Sequence, residues 1–330
     1  MSARAGVLAP HTLATVSPGL TGGVVAIGNF DGVHRGHTAL LQAAMAVARE
    51  RDLAALALTF EPHPRTIFKP EAPVFRLTPL PAKARMLTAV GLDGLVVIPF
   101  DRTFSTIAAD AFIEDILVDR LRIEGVVVGR DFHFGKGRGG SPATLTAQGR
   151  SLGFSVAVVD PVVGDSGETV SSSSIRDALA AGDIAMANDL LGHRWFVVGE
   201  VVAGDRRGRE LGFPTANIGL APDCRLRHGV YVVTMRRADG TLLRGVASYG
   251  RRPTFDNGPP LLEVFALDFT GDLYGETVIV TFLDWIRGEE KFASIEALVE
   301  AMQRDVTVAK TILTETGAGN ELDETVLGLR

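Results

Sequence analysis

The sequence predicts two domains of different class: a parallel β-sheet wrapped by helices, then an antiparallel barrel or sandwich followed by one helix. Three observations carry this. The chain has 330 residues, more than one typical domain and enough for two cores. Up to about residue 190, short continuous apolar runs alternate with helical patterns, as in sheets buried on both faces. From about 195, strand-like runs follow one another closely, with turn residues and few helices between them.

The early runs are VVAI (24–27), LAALALTF (53–60), GLVVIPF (94–100), GVVVG (125–129) and SVAVVD (155–160). Between them, segments such as 38–50 and 109–121 place apolar residues at three- and four-residue spacing and read as helices. The grammar changes in DIAMANDLLGH, ahead of Trp195, which sets the domains at 1–186 and 187–330. The later strands are WFVVGEVV, GVYVVTMRR, LLRGVASYG, LLEVFALDF and ETVIVTFLDWI. The closing helix starts at Ser294, an N-cap residue with Glu296 and Glu300 in the early turns, and runs to about 315. The tail beyond TGAGN reads as frayed.

Composition narrows the function. Net charge is −6, divided −2 and −4 between residues 1–190 and 191–330, so neither half has the basic character of a nucleic-acid binder. No apolar run approaches the roughly 18–20 residues that span a bilayer, and the first 20 residues lack the pattern of a secretory signal. A single cysteine, Cys224, permits no intrachain disulfide and no thiolate zinc cluster, so a cytoplasmic address is expected.

Every unusual loop of the first half follows an expected strand, where ligands sit in parallel sheets. GNFDGVHRGH supplies Gly28, Gly32 and Gly36 for close backbone approach and starts a helix near Gly36. His34 and His37 there can donate to phosphate oxygens. The stretch resembles the H-x-G-H signature of nucleotidyltransferases. Its longer form is similar to that of the prokaryotic bifunctional riboflavin kinase/FAD synthetase family. TFEPHP (59–64), VGRDFHFGKGRGG (128–140) and VSSSSIR (170–176) resemble further family motifs in the same order, with Val170 and Ser173 replacing Ile and Thr. The resemblance implies a nucleotidyltransferase-type fold with catalytic His34 and His37. It implies ATP binding by Gly28, Phe30, Asp31, Gly36, Ser172 and Arg176, and a flap over nucleotide and FMN anchored by Asp131, Phe132 and Phe134.

In the second half, GDRRGRELGFPTANIG (204–219) is rich in glycine but lacks the Walker pattern. GFPTAN resembles the riboflavin kinase signature. That likeness implies a β-barrel kinase fold, with Gly208, Gly212, Thr215 and Asn217 binding ATP and with Thr215 and Asn217 as Mg²⁺ ligands. A hydroxyl and an amide oxygen are hard donors of the kind Mg²⁺ accepts. Glu263 lies within an otherwise apolar strand, where alternation alone leaves it free to face solvent. The resemblance, with PTF (253–255) and DLYG (272–275) around it, makes Glu263 the catalytic base. WIRGEEKF is similar to a family segment that implies a flavin- or phosphate-binding Arg287.

The resemblance covers about residues 20–315. It implies phosphorylation of riboflavin to FMN and ADP, then joining of FMN to the AMP part of a second ATP, giving FAD and pyrophosphate. No nucleic-acid or membrane partner is expected. Two other readings stay open: a nucleotidyltransferase with a different acceptor fused to a binding barrel, and a non-catalytic flavin sensor. GFPTAN and Glu263 weigh against the first, and the paired histidines and Glu263 against the second.

Overall fold

The apolar runs of the first half become the strands of one parallel sheet. In the computed structural model, residues 6–164, 167, 169–204, 212–251, 260–317 and 319–328 are described, and the chain divides into units Met1–Ser171 and Ser172–Arg330. The first unit holds β1 (Pro10–His11), β2 (Val24–Ile27), β3 (Ala55–Glu61), β4 (Gly94–Pro99), β5 (Gly125–Gly129) and β6 (Ser155–Val159). Their order is β1-β4-β3-β2-β5-β6. The chain steps outward from β2 to β3 and β4, then returns to lay β5 against the other side of β2. The strand order therefore reverses between β2 and β5, and the carboxyl ends of such a pair border the crevice where open α/β sheets bind ligands. All four residues of β2 are buried, as a run without alternation requires.

Helix α1 (Arg35–Glu50) buries Leu40, Leu41, Ala44 and Ala48, an i, i+4, i+8 stripe with one extra position, against the sheet. Short α2 (Pro64–Phe68) and α3 (Leu80–Val90) follow β3. The segment expected as an ordinary helix over 109–121 differs in winding. It begins as α4 (Ala109–Ala111) and continues as a π-helix over Phe112–Arg120. Its Leu121 N–H reaches back five residues to the Ile116 carbonyl. Phe112, Ile113, Ile116 and Leu117 of this segment are buried in the core.

The second unit opens with α6 (Ser172–Ala181) and α7 (Ile184–Leu191), after α5 (Pro142–Leu152) of the first. The compact units thus part at 171/172, ahead of the 186/187 position read from sequence. The barrel comprises β7 (Phe196–Val202), β8 (Thr215–Gly219), β9 (Gly229–Arg236), β10 (Leu242–Gly250), β11 (Leu261–Ala266) and β12 (Thr277–Gly288). It closes in the order β10-β11-β8-β7-β12-β9, with every pair antiparallel. Closure decides between the barrel and sandwich alternatives. Leu262, Val264, Ala247, Tyr249, Ala216 and Ile218 are buried at neighbouring register positions and fill the interior.

The helix Ile295–Glu315 begins where the sequence placed it, with Ser294 Oγ accepting the Ala297 N–H. It covers Val230, Val232 and Val246 on the outer face of the barrel with Ala309 and Leu313. The tail expected to fray instead forms a helix, Glu321–Val326. Asn320 and Asp323 cap it reciprocally, which supplies the partners that its first N–H groups need.

Candidate functional site

The loop after β2 is a left-handed turn held from below. Phe30 (φ 47°), Gly32 (φ 92°) and Val33 (φ 44°) all have positive φ. For Phe and the β-branched Val this is a strained conformation, worth about 1–3 kcal/mol each. Three contacts from one residue oppose that strain. The Gly32 N–H donates to Thr78 Oγ1 (2.8 Å), the Thr78 hydroxyl donates to the Phe30 carbonyl (3.2 Å), and the Thr78 N–H donates to Asp31 Oδ1 (3.0 Å). At about 0.5–1.5 kcal/mol net per bond, together with burial of Phe30 and Val33, the turn is offset locally.

The turn delivers both histidines to the start of α1. His34 is the N-cap, and its Nδ1 accepts the His37 N–H at 3.3 Å. With Nδ1 accepting, neutral His34 carries its proton on Nε2, as a donor. The two rings stack with centroids 3.7 Å apart, and Phe30 meets His37 edge-on at 5.3 Å. A Cβ on Gly36 would lie 3.2 Å from the His34 ring, so the third position of H-x-G-H leaves room for the capping imidazole. Gly28 passes beneath the Phe30 ring in the same way. Burial, the neighbouring His34 and the Lys83 ammonium all push the His37 pKa well below its ordinary value, so His37 is neutral. Its Nδ1 is buried without a hydrogen-bond partner among the described residues.

Lys83, fully buried on α3, belongs to a polar cluster that no sequence motif marks. Its Nζ donates to Glu61 Oε1 (2.8 Å) and Thr59 Oγ1 (3.2 Å), and the Thr59 hydroxyl donates to the Asn29 carbonyl (3.1 Å). Arg76 forks onto Glu61 at 2.6 and 2.7 Å and stands 3.7 Å from Asp31. Burial pulls Lys83 down in pKa while Glu61 resists. Burial pushes Glu61 up, but Arg76 and Lys83 together hold it below its usual value. Glu61, the first residue of EPHP, thus ties that motif to the histidine loop.

The loop after β5 lies across the reversal from the loop after β2. The Phe134 ring is buried in the core against Phe112 of the π-helix (5.3 Å), and Phe132 stacks on Phe134 (5.4 Å). The backbones of Phe134 and Gly140 exchange hydrogen bonds and close the loop at its base. Phe134 therefore roots the loop, while Asp131 is exposed at its start. Ser172 and Arg176 stand at the beginning of α6 in the second unit, where Arg176 Nη1 donates to the Ser172 carbonyl.

In the barrel, register assembles the second constellation. Glu263 of β11 is the direct partner of Asn217 on β8 and of Ser248 on β10, and Thr215 lies opposite Phe265. Alternation from the buried Leu262 and Val264 puts this row on the outer face, where Glu263 is half-buried. Asn217 is nevertheless buried: Gly204 passes so closely that a Cβ there would lie 2.4 Å from Asn217 Nδ2. Thr215 and Asn217, two apart on one strand, offer neutral oxygen donors on one face. Among the described residues no three His, Cys, Asp or Glu side chains converge as a metal cage. That donor set fits a cation that keeps waters and takes phosphate oxygens. Gly212 has φ 82°, whereas Gly208 and the PTF segment lie outside the described residues.

Arg287, for which the motif implies flavin or phosphate binding, is held within the second unit by two hydrogen-bond partners. Its Nε and Nη2 donate to Asp305 at 2.8 Å each, and Nη1 donates to the Gly288 carbonyl. Asp305 is buried on the closing helix, so the fork clips that helix to the barrel. Among the described residues no helix is long and apolar enough to cross a membrane.

A family model for FAD synthetase matches residues 17–174, and one for riboflavin kinase matches residues 191–313. The chain is 41% identical over 289 residues to the bifunctional riboflavin kinase/FMN adenylyltransferase of Escherichia coli strain K12, covering 88% of this chain and 92% of that one. Against the protein of the same description from Pseudomonas fluorescens it is 40% identical over 301 residues, covering 91% and 96%. A crystal structure described as a macrolide-efflux protein from Streptococcus pneumoniae matches with a TM-score of 0.80 at 31% identity, covering 92% of this chain and 99% of that one.

Proposed function

The chain belongs to the bifunctional riboflavin kinase/FMN adenylyltransferase family, and from that premise we propose how its two sites divide the work. The barrel phosphorylates riboflavin. Glu263 accepts the proton of the 5′-hydroxyl as that oxygen attacks the γ-phosphorus of ATP, and ADP leaves. Thr215 and Asn217 would hold a Mg²⁺, which when bound would neutralise charge on the nucleotide's phosphates. The observation that carries this reading is the direct pairing of Glu263 with Asn217 across β11 and β8, which sets a base beside a phosphate-side ligand on one surface.

The histidine loop adenylylates FMN. The FMN phosphate attacks the α-phosphorus of ATP, the bond to the β-phosphate oxygen breaks, and pyrophosphate departs, so the protein need supply no nucleophile. His34 and neutral His37 donate to the triphosphate at the start of α1, where the helix N-terminus also favours negative charge. Gly28, Phe30, Asp31 and Gly36 shape that turn. Ser172 and Arg176 are the anion-binding pair of the serine-rich motif, and Asp131 and Phe132 border the flavin from the rooted loop. Arg287 serves the kinase through the closing helix. The enzyme works in the cytoplasm, on riboflavin, FMN and ATP.

The test is direct: incubate the protein with riboflavin, ATP and Mg²⁺, and separate the flavins by chromatography. FMN should appear first and FAD after it. A flavin pool unchanged from the start would overturn both assignments, and FMN alone would overturn that of the histidine loop.

A further inference from the structure

We propose that Thr78 is a positioning residue for FMN adenylylation: its hydroxyl latches the turn that carries His34 and His37. The proposal rests on the assignment of adenylylation to that turn. Thr78 bonds three consecutive members of the turn, accepting from Gly32 N–H, donating to the Phe30 carbonyl and offering its own N–H to Asp31. It is 1% exposed, so no water replaces a lost partner at low cost. Of the three positive φ values, those of Phe30 and Gly32 lie at latched positions and that of Val33 follows directly after them. Release would let the backbone relax away from its strained form, and the strain lies immediately before His34, whose own φ of −67° and ψ of 172° begin the cap.

The latch is anchored in turn. Thr78 precedes Pro79, the N-cap of α3. Two residues earlier on the same buried segment, Arg76 forks onto Glu61 of EPHP. Segment 74–78 therefore grips two motif loops at once and touches no proposed reacting atom. Effective positioning is sensitive to shifts of about 1 Å, which can cost about 10²-fold in rate. Loss of the latch should accordingly appear in turnover rather than in substrate affinity.

Thr78→Val keeps the shape and the backbone N–H but removes the hydroxyl, whereas Thr78→Ser keeps both hydroxyl bonds. In the full chain, Thr78→Val should lower kcat for FAD formation from supplied FMN by roughly 10- to 10²-fold, with KM for ATP and FMN within about threefold. Thr78→Ser should restore kcat to near wild type, and riboflavin phosphorylation should be unchanged in both. A purely structural role predicts a lower melting temperature without a change in kcat per folded molecule. Amide hydrogen exchange supplies a readout free of catalysis: Gly32 should be protected in the wild type and in Thr78→Ser, and should exchange faster in Thr78→Val. If Thr78→Val fails to fold, the exchange of Gly32 in the wild type and in Thr78→Ser decides. Wild-type kcat in Thr78→Val, or an unprotected Gly32 in the wild-type protein, would overturn the latch. A wild type that makes no FAD at all would instead overturn the adenylylation assignment on which it stands.

Discussion

Acidification should weaken the first unit through His37. In the fold this imidazole is held neutral by burial, by the stacked His34 and by Lys83, whereas in the unfolded chain it titrates at its ordinary value near 6.5. Below that pH the unfolded state binds a proton that the folded state refuses. Stability is therefore fully present above 6.5 and falls as pH drops toward the depressed folded value. For one such proton the slope is about 1.4 kcal/mol per pH unit, so the loss between pH 7.5 and 5.5 approaches about 1.4 kcal/mol. For a unit of 171 residues that corresponds to roughly 3–6 °C in melting temperature. Other groups titrate over the same range, so the reference is His37→Gln, which removes this proton alone. Melting of both proteins at the two pH values gives a double difference, in which acid should cost the wild type the additional 3–6 °C. Parallel pH dependence of the two proteins, or a His37 NMR titration centred near 6.5, would refute the reasoning. In Lys83→Met the titration should move upward, because the neighbouring ammonium charge is gone.

Glu263→Gln should lower riboflavin phosphorylation by about 10²- to 10⁴-fold while supplied FMN is still converted to FAD. His37→Ala should do the reverse, accumulating FMN, with the loss of one preorganised donor costing about 10²- to 10³-fold in FAD synthesis; chromatography of the flavins checks both. Chelation with EDTA should abolish riboflavin phosphorylation and Mg²⁺ should restore it, whereas full turnover in metal-free buffer would exclude the ligand roles of Thr215 and Asn217. Arg287→Met should strand the buried Asp305 carboxylate at a cost of about 3 kcal/mol, below the upper range for fully buried pairs because Arg287 is partly exposed. Calorimetry should then show the second unit melting roughly 6–12 °C lower, and an unchanged melting temperature with a raised riboflavin KM would return Arg287 to the ligand.

What could be read from sequence was periodic or punctuated. Continuous apolar runs marked β2 to β6, and Ser294 marked its helix to the residue, because both signals are local. The glycine and histidine loop was legible for the same reason, since strand, turn and helix onset are adjacent. Thr78, Arg76 and Lys83 were not legible. Thr78 sits in a proline-flanked connector without periodicity, and its meaning lies in partners 46–48 residues away. Strand β8 was hidden because TANIG follows glycine and proline and is only five residues long. The π-helix was hidden because residues 112, 113, 116 and 117 satisfy an ordinary helical stripe equally well. Arg287 carried a motif on strand β12 whose neighbour in space, Asp305, lies 18 residues on, across a turn and on the closing helix.

The short helix at the end of the chain bears on the order in which the protein is made. Asp323 accepts the Arg194 N–H from 129 residues away, Asn320 reaches the Gly192 carbonyl from 128, and the Arg194 guanidinium meets the Gly317 carbonyl. On the ribosome, at roughly 5–20 residues per second, the sheet of the first unit has all its strands once Val159 has emerged. The threshold of the barrel, between Gly192 and β7, must wait until residues 317–323 have emerged before its polar groups find these partners. The first unit can therefore fold early, while the second remains unsealed until Asp323 has emerged. Stalled or prematurely terminated chains would thus carry a finished sheet and an open barrel.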